Sequence, residues 1–149
     1  FRPYSKRFID NVLELQKRGV PTLQVLQFYR LQGPGMTAVL YEPLPGETLR
    51  QIAAKDGFDW QQNLPALAEL IRSLHKSGIY FRSLHLGNIV VTPDNRMGLI
   101  DVADMRFVRG PLPKHLIKRN LQHFARYIAR ENLNGSFPMQ ALEQAVMPS

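Results

Sequence analysis

Cysteine is missing from this 149-residue chain. That excludes disulfides and thiolate chemistry, and it points to a reducing compartment. Long apolar runs are missing as well; none approaches the roughly 18 residues needed to span a bilayer. The opening Phe1-Arg2-Pro3-Tyr4 has basic charge but no apolar core of the kind a secretory leader carries. It also has no initiator methionine, so the sequence reads as a fragment, a processed form or the ordered part of something longer. No internal repeat or low-complexity tract is visible. Acidic residues are outnumbered: 12 Asp and Glu stand against 19 Lys and Arg, for a net charge of +7. A chain so charged is drawn to polyanions, whether nucleic acid, anionic lipid or phosphorylated sugar. It has neither an aromatic-and-glycine RNA signature nor a helix-turn-helix spacing, which sets nucleic acid behind the other two.

What is present suits one globular domain. Hydrophobic residues make up 44% and charged residues 21%, and this length can bury about two-thirds of the unfolded surface. Phe8, Val12 and Leu15 fall on one face of a helix over 5–18, closed by Gly19 and Pro21. β-prone stretches at 23–30 and 36–41 flank the turn Gly33-Pro34-Gly35 and predict a hairpin. The connector 42–46 holds two prolines and cannot be helix or interior strand. Thr48 can cap a short helix ending near Gly57. Leu67, Leu70, Ile71 and Leu74 predict a longer helix that ends at Gly78, with Asp59 and Asn63 both candidate caps. A second hairpin follows, with strands at 89–91 and 97–100. Pro111 and Pro113 introduce a basic helix over 114–132 with Ile117, Leu121, Phe124 and Ile128 inward, and Pro138 starts a last helix. His75 reads as a cation or capping imidazole at a helix end, Trp60 as a boundary anchor, and Met36, Met97, Met105, Met139 and Met147 as packing residues.

The stretch Tyr80-Phe81-Arg82-Ser83-Leu84-His85-Leu86-Gly87-Asn88, followed by Leu99-Ile100-Asp101, carries the chemistry. An Asn carbonyl and an Asp carboxylate are hard oxygen ligands suited to magnesium, and a hairpin lies between them. The plainer reading is that Asn and Asp are common turn and cap residues. Spacing weighs against that reading. The kinase signature is a His-Arg-Asp triplet, an Asn five residues after its Asp, and a metal-binding Asp beyond a hairpin. Here Phe81-Arg82-Ser83 stands at the triplet, Asn88 five residues after Ser83, and Asp101 at the metal-Asp place.

Leu74-His75-Lys76-Ser77-Gly78 together with Leu84-His85-Leu86-Gly87-Asn88-Ile89 resembles the bacterial lipopolysaccharide (Kdo) kinase family. Arg7-Phe8, Gly19-Val20-Pro21 and the run from Tyr41 through Glu47-Thr48-Leu49 resemble the toluene-tolerance proteins of that group. The resemblance runs from the first helix to about residue 130. It implies an α+β, protein-kinase-like fold: a partial N-lobe over 1–43 and a mostly helical C-lobe over 44–149. It implies ATP and Mg2+ as cofactors, with Asn88 and Asp101 on the metal. Arg82, Ser83 and His85 would lie in the catalytic loop, and the connector with Glu42 and Leu44 would be the adenine-binding hinge. The helix at 5–18 would be the regulatory helix, its acid either Asp10 or Glu14. The implied activity is phosphorylation of a sugar or lipid-linked sugar hydroxyl. The implied setting is the cytoplasm of a Gram-negative bacterium, at or near the inner face of the inner membrane.

The departures are specific. Ser83 stands where the family has its catalytic aspartate, and a neutral serine has no useful basicity near pH 7. His85 or Asp104 is a candidate to take over that role. Phe81 replaces the triplet histidine, and Val102 follows Asp101 where Phe-Gly often stands. The Gly-rich strand pair and strand lysine that precede the regulatory helix in the family do not precede it in this sequence. A pseudokinase that binds nucleotide or a protein partner without transfer is therefore the first alternative. The second is a basic module for an anionic membrane surface or a phosphorylated glycolipid, built on the 114–130 helix with Arg106 and Arg109.

Overall fold

The structure is a computed structural model and describes residues 3–149. Helix α1 (Tyr4–Lys17) buries Phe8, Val12 and Leu15, the face that the spacing predicts. Gly19, at φ 76°, turns the chain out of it, and Val20 returns its N–H to the Leu15 carbonyl at 3.0 Å. Strands β1 (Gln24–Arg30) and β2 (Thr37–Glu42) then form an antiparallel hairpin with a bulge at Leu26. This ribbon is largely outside the core: Leu26, Phe28, Tyr29, Leu31, Leu40 and Tyr41 are exposed. Met36 at its turn is 55% exposed and is not a packing residue; the other four methionines pack on the core. Two contacts tie the ribbon to α1, a Ser5–Thr37 hydroxyl bond of 2.7 Å and the Phe8 and Tyr41 rings at 5.6 Å.

Beyond the connector, β3 (Glu47–Thr48) leads into α2 (Leu49–Ala53). Thr48 and Gln51 cap α2 reciprocally, a capping box, and the helix stops short of the expected Gly57. Helix α3 (Trp60–Lys76) takes Asp59 as its cap, whose side chain accepts from the Gln61 N–H at 2.9 Å. Asn63 instead donates to the Asp59 carbonyl. Trp60 anchors the boundary edge-on between Phe58 and Phe137. Gly78, at φ 75°, ends the turn after α3; a Cβ there would collide with the carbonyls of Val108 and Gly110.

The remainder is a set of short strands and two helices. Strand β4 (Ile79–Phe81) pairs with β7 (Met105–Phe107). Strands β5 (Ile89–Val91) and β6 (Met97–Leu99) form the second hairpin, which extends β3 into a three-stranded sheet ordered β3-β5-β6. Helix α4 (Lys114–Arg130) buries Ile117, Leu121, Phe124 and Ile128 as expected, and α5 (Met139–Val146) packs on α3. The architecture is α+β with small antiparallel sheets. Residues from α1 through α5 share one hydrophobic cluster that crosses the expected 43/44 boundary. Each large side chain fully buried in it, such as Phe81 or Phe124, contributes about 1.5–3 kcal/mol.

Candidate active site

A cleft of about 600 Å³ opens between the ribbon, α1, the connector and the second hairpin. Phe8, Val39, Tyr41, Leu44 and Val90 give it apolar walls, and Asp101 stands in its rim. Leu44 of the expected hinge lines the cleft. Glu42 does not: it ends β2 exposed, and its neighbours Tyr41 and Pro43 face the cavity instead. Gly98 sets how closely the hairpin approaches the connector, because a Cβ there would come within 2.5 Å of both the Leu44 side chain and the Pro21 carbonyl.

The hairpin brings residues 88 and 101 onto neighbouring rungs. Ile89 faces Leu99 across the ladder, and the Ile100 N–H donates to the Asn88 carbonyl at 3.0 Å. Asp101 follows immediately, exposed, at φ 57°. This is the left-handed region, which costs a non-glycine residue on the order of 1 kcal/mol. The other non-glycine residues there, Asn95 and Asn132, are asparagines, which tolerate it best. Asn88 lies buried behind the rim. Its Nδ2 donates to the Ser83 carbonyl at 2.9 Å and sits 3.1 Å from His85 Nε2. Both contacts of the amide run through nitrogen, leaving Oδ1 without a protein donor. An oxygen so placed and an exposed carboxylate one rung on are a donor pair that fits magnesium, which takes few protein ligands and completes its shell with water and phosphate. Among the described residues, no three His, Asp or Glu side chains gather into a metal cage.

His85 belongs to this flank. Its ring stacks on Tyr127 at 4.5 Å and 14°, and the Gly87 N–H donates to Nδ1 at 3.1 Å. With Nε2 against the Asn88 amide, both nitrogens face N–H groups, while a neutral imidazole has one acceptor nitrogen. Burial, then Arg130 and Arg50, hold its pKa below the ordinary histidine value, with Asp101 pulling the other way. Burial thus disfavours charge on the His85 ring, which lies against the Asn88 amide. Ser83 is half-buried, and its hydroxyl donates a long 3.4 Å bond to Asp104, which is exposed. Of the two groups named to replace the missing aspartate, Asp104 is the one at Ser83. Arg82 is exposed and, among the described residues, makes no side-chain hydrogen bond or ion pair.

His75 and two buried amides that sequence reasoning did not assign hold this loop. His75 shares a 2.8 Å bond with Asn120, whose Nδ2 donates to the Phe81 carbonyl at 2.8 Å. His75 is structural, as expected, but it is not a cation: burial holds its pKa below the usual value. Asn11 on α1 donates to the carbonyls of Val102 and Ala103 at 2.8 and 3.1 Å, pinning the chain just after Asp101. The regulatory-helix acids do not do this. Glu14 is paired with Arg18 at 2.9 Å, and Asp10 lines a separate groove with Ile9 and Phe28. A signal for the amides existed. Phe8, Asn11, Val12, Leu15 and Ile117, Asn120, Leu121, Phe124 both run i, i+3, i+4, i+7, and a polar residue inside an apolar stripe needs a buried partner.

No protein-family model matches the chain. No curated protein matches it either.

Proposed function

We propose that the chain is a protein-kinase-like domain that binds Mg·ATP in this cleft and transfers the terminal phosphoryl group to a sugar or lipid-linked sugar hydroxyl. The observation that carries the reading is Asp101: a carboxylate held in a strained backbone conformation on the cleft rim, one rung past an amide whose oxygen is left open. Strain of this kind persists where the surrounding structure over-determines it, which is the habit of functional sites. The order of elements supports it too: a helix, a hairpin, a connector, a long helix, then a loop and hairpin bearing the two ligands.

The chemistry magnesium would supply when bound is neutralisation of charge on the nucleotide phosphates. Asn88 and Asp101 would hold the ion. The apolar walls of the cleft, Val39, Leu44 and Val90 among them, suit an adenine ring, with the backbone of 42–44 alongside. His85 keeps Asn88 oriented. Asp104 is placed to accept the acceptor proton through or beside Ser83, where the family uses a single aspartate. Phosphoryl transfer leans on positioning more than on a base, whose loss costs about 10²–10⁴-fold. The net charge of +7 favours an anionic glycolipid acceptor and a post at the cytoplasmic face of the inner membrane of a Gram-negative cell. Among the described residues, no helix is long and apolar enough to cross a membrane.

Ser83 favours a second reading, a pseudokinase that binds nucleotide without transferring it. Calorimetry with ATP, with and without magnesium, tests both. Binding that requires magnesium and disappears in Asp101→Ala supports a nucleotide site; equal affinity in that variant defeats it. Transfer to a sugar acceptor by the wild-type protein, lowered about 10²-fold or more in Asp104→Asn, marks the enzyme. Binding without transfer, with turnover restored by Ser83→Asp, marks the pseudokinase. Salt-sensitive binding to anionic vesicles with no response to nucleotide would leave only a basic surface module.

A further inference from the structure

Helix α4 carries Arg119, His123 and Arg126 at i, i+4, i+7, a spacing that stacks them along one face. Arg82, which opens the catalytic loop, joins them. Arg126, Arg82 and Arg119 all act on the His123 ring, where burial is the largest influence and Asp104 is the one opposing charge. His85 feels a different set, Arg130, Asp101, Arg50 and Glu131. The two sets share no member, so the loop has two flanks: one faces the nucleotide cleft, and the other is cationic and touches Ser83 through Asp104.

This second flank is compensated only in part, by Asp104. Among the described residues, the ion pairs of Glu14, Glu47, Glu69 and Glu131 are made with Arg18, Lys55, Arg72 and Arg50. None reaches Arg82, Arg119 or Arg126. The Arg126 Nε has only the Gln122 carbonyl, at 3.4 Å, and His123 Nε2 is shut from solvent with no partner. Three arginines near one another, with Asp104 as the one carboxylate near them, leave an excess of positive charge that an anion relieves. Guanidinium forks match the oxygens of a phosphate better than they match a single charge.

We infer that Arg82, Arg119, His123 and Arg126 form a binding site for a phosphate monoester, and that this phosphate is carried by the acceptor. The site itself stands on α4 and the neighbouring Arg82; its role as an acceptor site rests on the phosphotransferase reading. None of the four residues lines the cleft that holds Asp101, so a phosphate seated on them is bound outside the nucleotide cleft. Asp104, at the border, repels an anion that strays toward Ser83 and favours an uncharged hydroxyl there.

The test titrates the protein with inorganic phosphate at constant ionic strength, followed by calorimetry. It compares Arg119→Ala/Arg126→Ala with Lys114→Ala/Lys118→Ala, which removes the same charge from the same helix. Those lysines line a separate groove with Glu143. The arginine pair is expected to weaken phosphate binding by about tenfold or more, and the lysine pair by under about twofold. All four positions are exposed, and unchanged melting temperatures confirm folded variants. Asp101→Ala keeps phosphate binding while losing nucleotide, so the two proposals fail separately. Glucose 1-phosphate against glucose then probes a soluble acceptor. Vesicles of phosphatidic acid in phosphatidylcholine, against phosphatidylglycerol, probe a lipid monoester. Binding of either monoester that the arginine pair abolishes supports the site and names its source. Equal loss in both double variants, equal retention on both vesicle types, or no phosphate binding at all overturns it.

Discussion

Asp101 occupies a backbone conformation that glycine would adopt without strain. Its cost and its use can therefore be separated by substitution. Asp101→Gly should match or exceed the wild-type stability, by up to about 1 kcal/mol, because the strain is relieved. Asp101→Ala should be less stable than the glycine variant by about 1 kcal/mol. Both should lose magnesium-dependent nucleotide binding. Urea unfolding ranks the three proteins, and an alanine variant more stable than the glycine one would mean the conformation carries no strain. The place of Asp101 was legible from its distance to Asn88 and the hairpin between them. Its strain was not, because an aspartate at a strand end is ordinary turn chemistry until φ is known.

Among elements, those with a strong local period were readable and those held by distant partners were not. The three longer helices follow apolar stripes; α1 and α3 stop just before Gly19 and Gly78, and α4 ends at Arg130, where Asn132 at φ 57° turns the chain away. The pairing of β4 with β7 was not visible, because three-residue strands have no period of their own and the partner lies far on, as in the pair Tyr80 and Arg106, 26 residues apart. The two stripe amides, Asn11 and Asn120, were passed over because their neighbours already accounted for the helix. Asn11 makes the sharper test. Asn11→Ala removes two buried hydrogen bonds and leaves the carbonyls of Val102 and Ala103 without a donor. The expected loss is about 1–3 kcal/mol. Amide exchange should quicken over 102–105 while the hairpin of β5 and β6 stays protected. Uniform loss of protection across both would show that α1 does not act on that segment in particular.

At the scale of the whole molecule, three histidines share a direction. His75, His85 and His123 are all held below the ordinary value of 6.5, with burial the largest cause in each. His123, only partly buried, counts least. A histidine whose folded pKa is depressed binds its proton more readily when unfolded. Stability is thus complete above about pH 6.5 and falls as the pH drops from there toward the native values. Urea midpoints measured above and below pH 6.5 should show this acid loss. His75→Gln, which has no proton to gain, should flatten the slope without removing it, since His85 remains. A midpoint that rises on acidification would contradict the burial of these rings. Gly98, finally, works on the molecule as a spacer works in a frame. A hydrogen there lets the second hairpin, the segment before β1 and the connector meet at one point. Any side chain in its place would wedge Leu44 away from the floor, so the headroom available to a guest is set by a residue that contributes no atoms to the wall.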